Sequence, residues 1–131
     1  MFVDASVMCA VLLGEPDAQA IKLKLAGASS RFTSPVAVFE TVLAVMRETS
    51  VTADEARAAV ARLIDAALIE HLVIGDAERE AALDAMARFG KGWHPARLNM
   101  GDCFAYACAK VHGLPLLFKG DDFAKTDIAA A

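Results

Sequence analysis

Apolar residues along this chain come in short bursts, and the period of the bursts changes from one to the next. Met1–Val3 is a short apolar run closed by Asp4 and predicts a first strand. Ala5–Leu13 is apolar but too short and mixed to assign. Pro16–Leu25 predicts a helix, with Ala18, Ile21 and Leu25 on one side, and Gly27–Ser30 is turn chemistry. Arg31–Ser34 predicts a second strand. Ser34-Pro35 then opens a helix, with Ser as N-cap and Pro where a missing N–H costs nothing. Val36, Phe39, Leu43 and Met46 repeat at helical spacing and give that helix an apolar stripe, and Pro35–Met46 and Thr52–Leu68 are the helices expected to carry exposed apolar surface.

Thr52-Ala-Asp-Glu55 is a capping box and predicts a helix to about Leu68. His71–Ile74 predicts a third strand. Asp76 is suited to cap a helix running to Phe89, with Leu83 and Met86 inward. Gly90–Pro95 holds two glycines and a proline and is read as irregular. A helix is expected from about Gly101 to His112, stopped by Gly113. Leu114–Phe118 predicts a fourth strand, followed by the loop Lys119–Asp122. Strands alternating with helices predict an α/β fold, with a mostly parallel sheet covered on both faces.

Composition narrows the picture. The chain has 131 residues, 56% of them apolar and 23% charged. That suits one domain, residues 1–131, with a real core, and argues against disorder. The longest uncharged stretch, Ala5–Gly14, is too short for the roughly 20 residues of a membrane span. The N-terminus lacks a basic region and predicts no signal peptide, so the expected location is cytoplasmic. Cys9, Cys103 and Cys108 form no C-x-x-C and are read as reduced thiols. A net charge of −4 argues against coating DNA by bulk charge. It leaves open a nuclease that meets phosphate through a metal.

Acidic residues at four places along the chain fit a solvated face poorly. Asp4 follows a strand, at the edge where open α/β sheets bind ligands, although capping the next helix is an equal reading. Glu40 lies among Val36, Phe39 and Leu43, where an unpaired carboxylate is costly. Asp102 begins an apolar helix. Asp121 and Asp122 follow the fourth strand. Carboxylates gathered in one crevice repel unless a cation sits between them, and oxygen ligands favour magnesium or manganese over zinc. A phosphoacceptor receiver domain needs an acidic residue at the end of the third strand, where Ile74-Gly75 offers none.

These residues carry a resemblance. Val3-Asp-Ala-Ser6, Glu40 within Ser34–Glu40, the stretch from Phe89 to Ala107 around Asp102, and Pro115–Asp127 resemble the motifs of PIN-domain ribonucleases. Among these they are similar to the VapC-type toxins of bacterial toxin–antitoxin pairs. The resemblance implies a PIN-like three-layer α/β/α domain with four to five short strands. It implies a magnesium-dependent endoribonuclease acting on RNA, with manganese a possible substitute, inhibited by a cognate VapB-type antitoxin and assembled as a homodimer. Asp4 and Asp102 would be metal ligands, Glu40 would orient a metal-bound water or complete a second metal site, and Ser6 is suited to hydrogen-bond a ligand. Many relatives carry an acid where this chain has Gly120. Asp122 therefore takes the fourth role by alignment, with Asp121 and then Asp127 behind it. The alternative is a catalytically weak or inactive protein-binding module on the same fold. Between Arg88 and Lys125 six basic residues face three acidic ones, which predicts a basic rim for RNA. Trp93 and His94 offer rings that either stack on an unpaired base or serve packing.

Overall fold

A computed structural model of the chain describes residues 1–131. Four parallel strands, β1 (Phe2–Val3), β2 (Arg31–Thr33), β3 (Ile69–His71) and β4 (Leu116–Leu117), lie in the order β3-β2-β1-β4. Phe2 pairs with Phe32 on one side and with Leu116 on the other. Each crossover contains two helices: α1 (Ala5–Leu12) and α2 (Ala18–Gly27), α3 (Pro35–Thr49) and α4 (Ala53–Ala66), then α5 (Asp76–Phe89) and α6 (Met100–Val111).

The two residues of β1 have no exposure, and successive strand side chains point to opposite faces. Phe2 and Leu116 join α5 and α6 in one core, with Ala85, Phe89, Ala107 and Cys108. Val3 and Leu117 join the other, with Val7 and Met8 of α1, Ile21 of α2 and Val60 of α4. The sheet is thus the middle of three layers, as the alternation of elements predicts. Parallel strands covered on both faces absorb much of the apolar content. No helix is long and apolar enough to cross a membrane. Cys103 and Cys108 are buried free thiols, and Cys9 is a free, half-buried one.

Several expectations need correction. The unassigned Ala5–Leu13 is mostly helix α1, nucleated by the Asp4 cap. The third strand is Ile69–His71, not His71–Ile74, because Arg31 to Thr33 pair with Ile69 to His71. The fourth shrinks to Leu116–Leu117. The inward face of α5 is rotated from that expected, while α3 carries its apolar stripe as exposed surface, as expected. In α3 the buried residues are Ala37, Thr41 and Val45, whereas Phe39 and Leu43 of the apolar stripe are exposed. In α5 Ala82, Ala85 and Phe89 point inward, and Leu83 and Met86 point out. Small residues face the core at both places because they let helices approach closely, and the large ones are left on the surface.

Candidate functional site

Strand order decides where a crevice opens. The chain leaves β1 toward β2 on one side, while β4 pairs on its other side, so the carboxyl end of β1 is a topological switch point. Asp4 occupies that point. Its N–H donates to the Leu117 carbonyl (3.0 Å), which extends the β1–β4 ladder and fixes its backbone. Its Oδ2 accepts from the Ser6 N–H (3.0 Å) and the Ser6 hydroxyl (2.6 Å). Asp4 therefore caps α1 and is also buried at the carboxyl end of β1. Burial pushes its pKa up, and the Ser6 hydrogen bonds partly oppose this. The Ser6 hydroxyl also accepts from the Lys119 N–H (3.0 Å), tying the loop after β4 to the same point.

Glu40 approaches from α3. Its carboxylate rests against Gly101 of α6 so closely that a Cβ there would lie 2.0 Å from both carboxylate oxygens. Glycine at 101 is thus a condition of Glu40's position. Burial, followed by the charges of Asp4 and Asp102, pushes the Glu40 pKa up to about 7. Asp102 is the third residue of α6. Its Oδ2 accepts from the Asn99 N–H (2.8 Å), and the Asn99 side chain accepts from the Asp102 N–H (3.0 Å). This capping box starts α6 at Met100 and aims Asp102. Burial pushes its pKa up to about 6. The Asn99 bond opposes this, and the charges of Asp4 and Asp122 add to it.

Asp122 is exposed in the loop beyond β4, and of the late acidic residues it is the one whose charge reaches Asp102. Asp127 stands elsewhere, bonded to the Tyr106 hydroxyl (2.5 Å) and paired with Arg88 and Lys110. Gly120, where the resemblance implies an acid, has φ +99°, a conformation in which a side chain is strained. The Asn99 cap and the Gly101 approach were not assigned roles from the sequence. The Asn-x-x-Asp spacing was the available signal for the first, while the second depends on how α3 crosses α6.

No ion pair involves Asp4, Glu40 or Asp102. Three carboxylates with raised pKa values and no cationic partner suit a hard divalent ion in charge and in donor type. They do not form a closed three-ligand cage: no three His, Cys, Asp or Glu side chains stand in a metal-holding group. The basic rim is narrower than its sequence count. Lys119 pairs with Glu15 and with Asp17 (2.9 Å), and Arg88 and Lys110 pair with Asp127, all acids outside the counted stretch. Lys91, Arg97 and Lys125 make no ion pair. His94 has a structural role: its Nδ1 accepts from the Ala96 N–H (3.1 Å), and its ring meets Phe89 edge-on at 5.1 Å.

Comparison with known proteins bears on the family and the fold. The model of the PIN domain matches residues 1–129. The chain is 43% identical to a VapC ribonuclease of Rhizobium meliloti, over 97% of this chain and 98% of that protein. It is 41% identical to a ribonuclease VapC of Mycolicibacterium smegmatis, over 99% and 98%. In fold it is similar to VapC20 of Mycobacterium tuberculosis, described as a toxin cleaving the sarcin–ricin loop. The TM-score is 0.79 at 19% identity, covering 99% of this chain and 97% of that one. A toxin–antitoxin complex from Klebsiella pneumoniae contains a similar fold, with a TM-score of 0.71 at 14% identity over 99% and 95%.

Proposed function

The chain belongs to the PIN-domain family, in its VapC ribonuclease branch, and on that premise we propose that it is a metal-dependent endoribonuclease toxin held in check by an antitoxin. Residues 1–131 act as one unit in this reading. The observation that carries it is that separate segments bring Asp4, Glu40 and Asp102 close enough for the charges of Asp4 and Asp102 to raise the Glu40 pKa and that of Asp4 to raise the Asp102 pKa, beyond the larger effect of burial.

Asp4 and Asp102 would hold the ion, magnesium by preference with manganese as substitute. When bound, a divalent ion lowers the pKa of a water and relieves charge on the phosphate in the transition state. Glu40, with a pKa near 7, is suited to accept a proton from the attacking water. Asp122 adds negative charge behind Asp102. Ser6 holds Asp4 in one orientation, and the Asn99 N–H does the same for Asp102. These supports leave the free carboxylate edges to face the crevice.

Partner binding accounts for surface that the core does not use. Phe39 and Leu43 of α3 are exposed, and a groove between α2 and α4 is lined by Leu25, Ala26, Leu63 and Ala67. An antitoxin segment and a second copy of the chain are the proposed occupants of such surface.

The test is cleavage of structured RNA by the purified full chain, with magnesium and then with a chelator. Cleavage is expected to require the metal and to fall roughly 100-fold or more in Asp4→Asn and in Asp102→Asn. Undiminished cleavage by Asp102→Asn would overturn the site. A parent chain that leaves RNA intact while binding a partner protein would favour the inactive binding module instead.

A further inference from the structure

The segment Gly90–Arg97 leaves the tip of α5 and returns into α6, and it carries the chain's single tryptophan. It is irregular but firmly held. The Lys91 N–H donates to the Leu98 carbonyl (3.0 Å), and the Leu98 N–H donates to the Phe89 carbonyl (3.0 Å), closing the base. His94 is pinned as described above.

Trp93 is fixed without being buried. Its indole N–H donates to the Met86 and Ala87 carbonyls at 3.1 Å each, in the last turn of α5. The ring also lies against Gly90, where a Cβ would stand 2.7 Å from Cζ2. Yet Trp93 remains 62% exposed. A large apolar ring held in one orientation with its surface open has already lost the freedom that binding would otherwise cost.

Charge narrows what it receives. From Ala85 to Gly101 the chain has no acidic residue. Lys91 and Arg97, exposed on either side of Trp93, pair with no carboxylate. They line an open concavity with Trp93 and His94, and this is continuous through Lys91 and Trp93 with a groove of about 300 Å³ that reaches Asn99 and Met100. Asn99 caps the helix that carries Asp102. An exposed π-face sharing one concavity with two unpaired cations matches a polyanion with flat unpaired bases.

We propose that Gly90–Arg97 is a docking platform for a single-stranded stretch of RNA, with Trp93 stacking on an unpaired base and Lys91 and Arg97 holding the adjoining phosphates. The inference rests on the ribonuclease reading and specifies how that substrate is gripped outside the carboxylate site.

The single tryptophan makes the test direct. The full chain carrying Asp102→Asn is titrated with a mixed-sequence single-stranded RNA 12-mer, and with the blunt duplex of the same sequence. The single strand is expected to quench tryptophan emission saturably and to bind more tightly than the duplex. With labelled RNA, Trp93→Ala is expected to weaken single-strand binding roughly 5-fold or more, and Trp93→Phe less so. The Lys91→Gln, Arg97→Gln double variant is expected to bind more weakly and with a shallower salt dependence. Unchanged affinity in Trp93→Ala, equal losses in the Phe and Ala variants, or binding without quenching overturns the proposal. So does a Trp93→Ala chain whose mass by light scattering changes while its RNA affinity does not, since the ring then belongs to a contact between copies. If the parent still cleaves RNA in any of these cases, the ribonuclease reading stands and only the platform falls. If the parent neither binds nor cleaves RNA, both fall.

Discussion

Gly101 shows how much of this site depends on an atom that is missing. With no side chain there, the Glu40 carboxylate packs onto the first turn of α6, where the helix dipole favours an anion. Alanine is the better helix former by roughly 1 kcal/mol, so Gly101→Ala gives no reason to expect loss through helix propensity. Its Cβ would nevertheless force Glu40 aside. Misplacing a catalytic group by about 1 Å costs up to 100-fold in rate. Gly101→Ala is therefore expected to cut RNA cleavage at least roughly tenfold, measured as initial rate, with the melting temperature as the control for folding. A full-rate Gly101→Ala enzyme would mean that Glu40 has no fixed place in the reaction.

Among the elements, α5 and α6 share the most extensive contact, and Ala82 and Ala85 of α5 lie in one buried core with Ala105 and Ala109 of α6. Their approach is set by alanines, and so the buried face of α5 does not follow its large apolar residues. Large apolar residues at Leu83 and Met86 suggested a buried stripe, but the core there has room only for methyl groups. Ala85→Leu is expected to overpack this contact, costing ~1–3 kcal/mol and lowering the melting temperature by several degrees. Leu83→Ala should stay within about 0.5 kcal/mol of the parent by denaturant titration. The reverse order of effects would restore the face first expected from the sequence. The same substitution of small for large on the α3 interior leaves Phe39 and Leu43 on the surface.

At the scale of the whole molecule, the C-terminal tail is tied down by polar contacts. Asp127 accepts from the Tyr106 hydroxyl and pairs with Arg88 of α5 and Lys110 of α6, and beyond it Ala131 bonds to Leu116 in β4. The Tyr106 hydrogen bond, with Arg88 and Lys110 behind it, holds the Asp127 pKa down to about 2 against an ordinary 3.8. A carboxyl whose folded pKa is depressed stabilises the fold above its unfolded pKa, and that stability is lost as pH falls through the folded value. The tail contribution is therefore complete above about pH 4 and gone near pH 2. The side chain is 45% exposed, so solvent screening keeps the effect modest. Asp127→Asn is expected to melt below the parent at pH 7, with the gap closing between pH 4 and pH 2. A gap that stayed constant with pH would mean that packing rather than charge holds the tail.

The sequence alone determined the alternation of strand and helix, the caps at Ser34 and Thr52, and the four carboxylates that needed a common explanation. These are local matters, fixed by period, by capping chemistry and by the cost of a misplaced charge. The tertiary structure decided the rest. Helix phase turned on the space between elements, which opened inward for Ala37 and Ala85 and not for Phe39 and Leu83. Among the late acids, Asp122 and Asp127 were parted by where the tail docks. The basic rim shrank to Lys91, Arg97 and Lys125 because Lys119 reaches back to Glu15 and Asp17, a hundred residues away along the chain. Pairing across such separations is set by which surfaces meet, and no local pattern encodes it.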